Sequence, residues 1–372
     1  MKYSCIVCLS LDYKEMSNMS STVYLFRIDT NTSPKQVRKG LSALLRQKEI
    51  SNSLTSKGFT AIKMHFGESD SPNTVEPSMV KVIVNYVKSA GGRPFLTDTN
   101  TLYTGRRSNA VDHLMCAYSH GYTMKNTGAP AIILDGLTGK GFAEIPIGLK
   151  HCKTAKIAKD VLNIDDLIGI THVTGHEGAS FGGSLKNIGM GMSSRGGKQK
   201  QHSGILPEVD KDRCTACGEC ARWCPVEAIT VDEHAHINKG LCIGCGECTV
   251  TCRFKAIAVR WDESSANLQE KIAEHAYAVV RSIRGKSCFF NFLIKVTKDC
   301  DCIRRPQDPD FTDLGIVAST DIVAADKASY DLLEQEAGRD MFQEWSGKDP
   351  LVQMRYGEEI GLGTTDYILE QV

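Results

Sequence analysis

Eight of the fifteen cysteines in this 372-residue sequence fall into two copies of one spacing. Residues 214–225 read CTACGECARWCP and residues 242–253 read CIGCGECTVTCR, so each copy is C-x2-C-x2-C-x3-C. Thiolate sulfur is the ligand that iron–sulfur clusters use, and zinc also accepts it. The chemistry that these residues could support is therefore metal binding by cysteines, which is typical of a reducing compartment rather than of a secreted disulfide protein.

The spacing favours iron–sulfur clusters over zinc. Zinc ribbons use two cysteine pairs separated by a longer gap, whereas here three cysteines follow closely and a fourth comes three residues later. That pattern is typical of bacterial ferredoxins with two clusters, in which the fourth cysteine of each copy ligates the other cluster. We therefore predict two [4Fe–4S] clusters, one held by Cys214, Cys217, Cys220 and Cys252 and the other by Cys242, Cys245, Cys248 and Cys224.

Segments with strand-like and helix-like patterns alternate on both sides of these motifs. This alternation predicts an α/β fold with a mainly parallel sheet and helices on both faces. We expect strands at 22–28, 59–66, 93–98, 130–136, 166–176 and 288–296 and at the start of 314–336. We expect helices at 33–47, 76–92, 108–120 and 265–283 and in the rest of 314–336.

The cysteine motifs interrupt this α/β pattern rather than follow it. A short strand-like run comes after each motif, at 228–231 and 256–259, which makes the segment an internal repeat. We predict a two-cluster ferredoxin domain inserted into an α/β domain. The expected segments are an N-terminal extension (1–20), a first part of the α/β domain (21–205), the insert (206–262) and a second part of the α/β domain (263–372).

Polar side chains follow several of the predicted strands. Ligands of α/β sheets bind beyond the carboxyl ends of the strands, so these side chains are candidates for a site. They are His65, Glu68, Asp98, Asn100, Asp135, His176, Cys300 and Cys302. A glycine-rich segment, 177–198, adds Lys186 and Asn187, and it is as compatible with a flexible loop as with an anion-binding or catalytic role. We take His65, His176, Lys186 and Asn187 as the catalytic candidates.

Cys300 and Cys302 lie in the sequence DCDC, outside the two repeated motifs. A disulfide between residues so close would be strained. Asp299 and Asp301 would raise the pKa of the free thiols unless a cation offsets the acidic charge. These residues therefore predict a third site that holds a metal ion or a further cluster, with His202 as an additional ligand. The alternative is a pair of reduced thiols on a surface loop.

Composition narrows the choice of partners. Lysine plus arginine equals aspartate plus glutamate at 44 each, so nothing in the net charge indicates nucleic acid or an anionic membrane as a partner. No apolar run approaches the roughly 18 residues of a membrane helix, and the N-terminal segment lacks a signal-peptide cleavage site. We expect a cytoplasmic protein. A homodimer is compatible with the sequence, which offers no argument for it.

Several stretches resemble one known family, the iron–sulfur-centre proteins described as domain of unknown function 362. They include KMHFGE (63–68), PFLTDTNTLYTGRR (94–107), GHEGASFGGSLKNIGMG (175–191) and LGIVASTDIVAADKASYDLL (314–333), together with the two cysteine motifs and DCDC. The resemblance extends from about residue 21 to 335. It implies an α/β domain that carries a two-cluster ferredoxin module, and it implies no particular reaction.

Two functions follow from these observations. In the first, two clusters pass electrons between a redox partner protein and a polar, metal-containing site on the α/β domain, where a small-molecule substrate would react. This would make the protein an oxidoreductase. In the second, the protein is a dedicated electron carrier and its α/β domain only docks a partner. Convergent polar residues at the strand ends favour the first function, because a carrier does not need them.

Overall fold

The computed structural model describes residues 20–54, 57–68, 74–202, 206–258, 263–303, 305 and 307–372. In these ranges the strands are β1 (Ser21–Arg27), β2 (Phe59–Lys63), β3 (Arg93–Asp98), β4 (Ala131–Ile133), β5 (Phe142–Pro146), β6 (Thr154–Ala158), β7 (Asp166–His172), β8 (Thr174–His176), β9 (Ser180–Gly182), β10 (Ile229–Val231), β11 (Ala235–Ile237), β12 (Ser287–Leu293), β13 (Gly315–Ser319) and β14 (Tyr367–Gln371). The predicted N-terminal extension lies outside the described residues, apart from Ser20.

The α-helices of the same ranges are α1 (Pro34–Leu45), α2 (Lys48–Asn52), α3 (Pro77–Ser89), α4 (Ala110–Ser119), α5 (Met124–Thr127), α6 (Ser184–Gly189), α7 (Arg195–His202), α8 (Glu219–Arg222), α9 (Glu247–Thr251), α10 (Ser265–Ser282), α11 (Ile322–Ala337), α12 (Met341–Ser346) and α13 (Val352–Glu359). None of them combines the length and the apolar character that a membrane-spanning helix requires.

Eight strands form one sheet in the order β14-β1-β13-β12-β7-β2-β3-β4. Strand β13 runs antiparallel to both of its neighbours, β1 and β12. All the other neighbouring pairs are parallel. The prediction of an α/β fold with a mainly parallel sheet is therefore confirmed.

Alternate residues of the central strands pack into two separate hydrophobic cores. Val23 and Phe289 face the core that also contains residues of α6, α10 and α11. Their chain neighbours Tyr24 and Phe290 face the opposite core, which contains residues of α1 and α3. Because successive side chains of a strand point to opposite faces, this division places helices on both sides of the sheet.

Helix α1 illustrates how the local sequence sets the element boundaries. Ser33 caps the helix, since its hydroxyl accepts from the backbone of Gln36 while the Gln36 side chain accepts from the backbone of Ser33. Pro34 occupies the first helical position, where its missing N–H is not needed. The apolar residues of the helix recur on one face, and that face is buried against the sheet.

Several predicted strands are shorter than expected. The prediction for 166–176 spans β7 and β8, because the chain leaves the main sheet after His172 and β8 pairs with β9 instead. The predicted strand 59–66 ends at Lys63, and that at 130–136 ends at Ile133. The hairpin of β5 and β6 and the edge strand β14 were not predicted at all.

Residues 206–258 form a small unit with its own core. Strands β10 and β11 pair antiparallel, and α8 and α9 pack nearby. The core of the unit consists of Cys220, Ile229, Ala235, Cys248 and Ile257. The first predicted strand-like run becomes β10. The second run lies partly outside the described residues, and in its described part Ile257 makes a single bridge to Val209.

Candidate functional site

A cavity of about 190 Å³ lies at the carboxyl ends of β2, β3 and β7. The glycine-rich segment and the DCDC loop complete its wall. Eight residues that the sequence predicts as candidates line this one cavity: His65, Asp98, His176, Lys186, Asn187, His202, Cys300 and Cys302. The topology thus brings together residues that are up to 237 positions apart in the chain, because parallel strands end at the same edge of the sheet.

A buried ion pair anchors the floor of the cavity. The ammonium of Lys63, the last residue of β2, lies 3.1 Å from the Asp98 carboxylate and 2.7 Å from the amide oxygen of Asn187. Burial lowers the pKa of Lys63, although Asp98 opposes the shift. Burial opposes ionisation of Asp98 as well, but Lys63, His113 and Arg107 together hold its pKa well below the usual range. Asp98 is therefore ionised, and three neighbouring side chains stabilise its negative charge.

Arg107 extends this network away from the cavity floor. Its guanidinium lies 3.4 Å from both the Asp98 and the Glu68 carboxylates, and it also donates to the hydroxyl of Tyr103. Glu68, a predicted candidate, therefore sits behind the wall as a partner of Arg107. Lys63 and Arg107 belong to the site, although neither is predicted from the sequence. For Lys63 the signal was present, because it is the last residue of a buried strand.

Three histidines that line the cavity are held in the neutral form. Burial lowers the pKa of His65 and His176 well below the usual value, and it lowers that of His202 to about 3. The Nδ1 atom of His65 accepts from the backbone N–H of Gly67 at 3.0 Å. Nδ1 of His176 accepts from Gly178 and Ala179. In both rings the proton must therefore lie on Nε2.

Cys300 and Cys302 place two sulfur atoms next to a buried cation. The Cys302 thiol donates to Cys300 Sγ at 2.8 Å, and the Lys186 ammonium donates to the same sulfur at 3.1 Å. The hydrogen bond from Cys302 lowers the pKa of Cys300, and the charge on Lys186 adds to this effect against burial. Conversely, the hydrogen bond to Cys300 and burial raise the pKa of Cys302. One thiolate and one thiol thus share the proton.

The two aspartates of the DCDC loop form ion pairs with residues outside the cysteine pair. Asp301 accepts from Nδ1 of His172 at 2.9 Å, while the other ring nitrogen of His172 donates to the carbonyls of Ile294 and Lys295. Burial lowers the pKa of His172, but Asp301 and the two carbonyls outweigh it and the net shift is upward. Asp299 pairs with Arg305 at 2.6 Å. Asp301 still raises the pKa of Cys300, but the hydrogen bond from Cys302 and the charge of Lys186 outweigh it.

Two further candidates lie behind the cavity wall. The Asn100 side chain donates to the Asp135 carboxylate at 2.8 Å, and the Asn100 carbonyl accepts from the Lys198 ammonium, also at 2.8 Å. Burial raises the pKa of Asp135 to about 6 and lowers that of Lys198 to about 8. Lys198 itself lines the cavity. Asn100 and Asp135 therefore orient a lysine of the site rather than line it themselves.

The predicted third metal site has two sulfur donors in contact, and His202 lines the same cavity. Among the described residues, however, no three His, Cys, Asp or Glu side chains have the arrangement that would hold a single metal ion. The third site stays a prediction.

The eight motif cysteines surround two smaller cavities in the unit formed by 206–258. One cavity is lined by Cys214, Cys217, Cys220 and Cys252. The other is lined by Cys224, Cys242, Cys245 and Cys248. The fourth cysteine of each motif thus crosses to the set of the other motif, which is the grouping that the spacing predicts.

The backbone around these cysteines places N–H groups within hydrogen-bonding distance of their sulfur atoms. Gly218 and Gly246 have φ values of 77° and 70°, which suit glycine and start α8 and α9 directly after the loops. Backbone N–H groups of Ala228 and Ala256 donate to the sulfurs of Cys224 and Cys252 at 3.2 Å. Four thiols and these donors around each cavity fit an iron–sulfur cluster, whose sulfurs also accept such hydrogen bonds.

Helix α7 connects the cysteine unit to the main cavity. Arg195, at its start, is buried and forms a 2.9 Å ion pair with Glu247 of α9. The other end of α7 supplies Lys198 and His202 to the cavity wall. Leu102 is also part of that wall, and a Cβ atom built on Gly246 would come within 2.8 Å of its side chain. The cysteine set that includes Cys245 is therefore separated from the cavity by little more than one side chain.

Two solved structures are similar to this chain at a low level. One is the lactate racemase apoprotein from Thermoanaerobacterium thermosaccharolyticum, with 12% identity, a TM-score of 0.35 and coverage of 75% of this chain; this chain spans about half of it, 51%. The other is a protein from Thermotoga maritima, with 10% identity, a TM-score of 0.41 and coverage of 84% of this chain and 61% of that one. No curated protein matches.

A family model described as "Domain of unknown function (DUF362)" matches residues 60–331. The match begins in β2, ends in α11 and includes both cysteine motifs, the glycine-rich segment and the DCDC loop. Since it covers well over half of the sequence, the chain belongs to the DUF362 family.

Proposed function

We propose that this protein is an iron–sulfur redox protein in which two [4Fe–4S] clusters exchange electrons with the cavity of the α/β domain. Cys214, Cys217, Cys220 and Cys252 would hold the first cluster. Cys224, Cys242, Cys245 and Cys248 would hold the second. Each cluster supplies one-electron chemistry when bound.

The observation that carries this proposal is the contact between the second cysteine set and the cavity wall. Gly246, next to Cys245, packs against Leu102, and Arg195 links Glu247 to the backbone of the same wall at Thr101. A mobile carrier domain would not need a buried ion pair to fix its position. This junction supports a defined electron path between the second cluster and the cavity.

The spacing of the cysteines supports clusters rather than zinc. In a structural zinc site, four ligands converge on one ion at about 2.3 Å. Here each set of four cysteines includes one cysteine from the other motif and surrounds a separate cavity. Crossed sets of this kind, with C-x2-C-x2-C-x3-C spacing, are typical of bacterial ferredoxins with two clusters.

The cavity supports an enzyme rather than a carrier. Lys63, Asp98 and Arg107 are all buried, and taking such charges out of water is unfavourable unless a network compensates them. A chain that only docks a partner gains nothing from this arrangement, whereas a reaction site gains oriented charges. We therefore infer an oxidoreductase whose substrate is a small molecule. The alternative, a dedicated electron carrier, predicts that substitutions in the cavity leave all redox behaviour unchanged.

Crossed ligation gives a sharp test by electron paramagnetic resonance (EPR) of protein purified without oxygen and reduced with dithionite. Cys217→Ser and Cys252→Ser lie in different motifs but should alter the same cluster signal. Cys245→Ser and Cys224→Ser should both alter the other signal. Cys288→Ser, a buried cysteine outside both sets, is the matched control and should change neither. If the changes instead group by motif, or if all five variants look alike, the cluster assignment is wrong.

A further inference from the structure

We propose that Cys300 and Cys302 form a dithiol–disulfide couple that exchanges two electrons with the two clusters. The two sulfur atoms are 2.8 Å apart, and the Lys186 ammonium lies 3.1 Å from Cys300 Sγ. Both sulfurs line the cavity that adjoins the second cysteine set. This inference rests on the proposed function, because the electrons come from the clusters.

The loop holds the two sulfurs together. On one side, Asp301 is fixed by His172 at the end of β7. On the other side, the backbone N–H of Asp299 donates to the Gln307 side chain at 3.1 Å, and the Asp299 carbonyl accepts from the hydroxyl of Thr297. The residue before Cys300 and the residue between the two cysteines are therefore anchored, so the sulfurs remain in position to form a bond.

Strain in a C-x-C disulfide favours this role. A disulfide between residues so close departs from ideal geometry, and strained disulfides are easier to reduce than structural ones. A pair that serves as a reversible couple needs this property, since it must open in each cycle. The strain that argues against a structural disulfide at this position thus argues for a reactive one.

The electron count matches the two clusters. In the reductive direction, the S–S bond breaks as each reduced cluster gives up one electron. Cys300 becomes a thiolate beside the Lys186 ammonium, and Cys302 takes up one proton from the cavity. In the oxidative direction, Cys302 loses that proton, the S–S bond forms and the two electrons return to the two oxidised clusters. A one-electron donor protein of low potential would recharge the clusters.

The surroundings fit a redox pair better than a metal site. The Lys186 ammonium donates to Cys300 Sγ, and its charge would repel a cation bound to the same sulfur. Only two sulfurs are in contact here, whereas four cysteines surround each of the two smaller cavities. Lys186 instead stabilises the thiolate that leaves when the disulfide is reduced.

The first test follows the bond itself by mass spectrometry. Cluster-loaded protein is treated without oxygen with the thiol oxidant diamide, then denatured, alkylated with iodoacetamide and digested. We expect the peptide that begins at Asp299 to contain an internal disulfide, whereas Cys116, Cys152 and Cys288 are alkylated and serve as internal controls. After dithionite bleaches the clusters, the same peptide should be doubly alkylated. In Cys245→Ser the disulfide should persist.

The second test does not depend on the folding of a cluster variant. A reductive titration of the diamide-treated protein should consume about four electrons per chain, two for the clusters and two for the pair. The variant Cys300→Ser should consume about two, and Cys288→Ser should still consume about four. Full alkylation of both cysteines after diamide, or equal counts in all three proteins, would overturn the inference.

Metal analysis distinguishes a failure of the dithiol couple from a failure of the proposed two-cluster function. Loss of one metal ion per chain in Cys300→Ser would overturn the dithiol couple in favour of the metal site. Absence of iron in the wild-type protein would defeat the proposed function. The alkylation pattern of the Asp299 peptide would still report whether the disulfide forms, so the two failures are distinguishable.

Discussion

At the scale of single residues, the charge balance of the cavity depends on Lys63. Its side chain is 1% exposed and contacts both Asp98 and Asn187. Replacing Lys63 by methionine keeps most of the side-chain volume but removes one positively charged partner of the buried Asp98 carboxylate. Removing one partner of a buried ion pair destabilises proteins by about 3–5 kcal/mol. We expect Lys63→Met to lower the free energy of unfolding by this amount in urea titrations.

The matched control is Lys327→Met. Lys327 pairs with Asp331 at 2.6 Å, but both side chains are more than a quarter exposed. Exposed pairs contribute at most about 1 kcal/mol, so this variant should unfold nearly as the wild type does. Equal effects of the two substitutions would show that Lys63 is not part of a compensated buried network.

The sequence predicts only some of the residues in the site. His65, His176, Cys300 and Cys302 were identified because polar residues that follow a buried strand come to one edge of a parallel sheet. His172 was missed because it lies inside a predicted strand that in fact ends there. Arg107 lies in a segment between β3 and α4, and no periodic pattern indicates where such a segment runs.

At the scale of elements, helix α10 contains a buried histidine that makes folding sensitive to acid. Nδ1 of His275 donates to the Lys271 carbonyl at 2.8 Å, and burial lowers the pKa of His275 to about 4. The unfolded chain binds this proton near pH 6.5 but the folded chain does not. Stability is therefore lost as the pH falls below about 6.5, by about 2 kcal/mol at pH 5.

We expect His275→Gln to remove this share of the acid sensitivity. The glutamine side chain can still donate to the Lys271 carbonyl but does not titrate. Urea unfolding at pH 7.5 and pH 5 should show a smaller loss in the variant than in the wild type, by about 2 kcal/mol. An equal loss in both proteins would mean that His275 takes up its proton in the folded state.

Helix α7 links the cysteine unit to the α/β domain through Arg195. Replacing Arg195 by methionine leaves Glu247 buried without its closest cation, since the Lys140 ammonium is 4.0 Å away. We expect faster hydrogen exchange in α9, beside the second cysteine set, and little change in α8. The control, Arg222→Met, removes an exposed ion pair with Glu219 in α8 and should leave hydrogen exchange unchanged in both α8 and α9. If hydrogen exchange in α9 of Arg195→Met is as slow as in the wild type, Arg195 does not join the cysteine unit to the α/β domain.

Element prediction succeeded where burial produces a pattern. Helices α1, α3 and α10 have one apolar face, and strands β3 and β12 are buried except for their first residue. Strand β14 was missed because its side chains are mostly exposed, so it shows no alternation. It is held by parallel backbone pairing with β1, which the sequence does not reveal.

At the scale of the whole molecule, one sheet edge and one cysteine unit are brought into contact. The sheet separates two hydrophobic cores, and its carboxyl edge carries the buried charges, the neutral histidines and the sulfur pair. The cysteine unit has a core of its own and is joined to that edge through α7 and Leu102. Spacing alone predicts the two cysteine sets, whereas their closeness to the cavity depends on packing that no local pattern encodes.

The most direct measurement is the content of iron, acid-labile sulfide and zinc in wild-type protein purified without oxygen. Two [4Fe–4S] clusters predict about eight irons and about eight sulfides per chain, with no stoichiometric zinc. Two zinc ions per chain without sulfide would contradict the account, because the eight cysteines would then form structural zinc sites and the cavity would have no electron source.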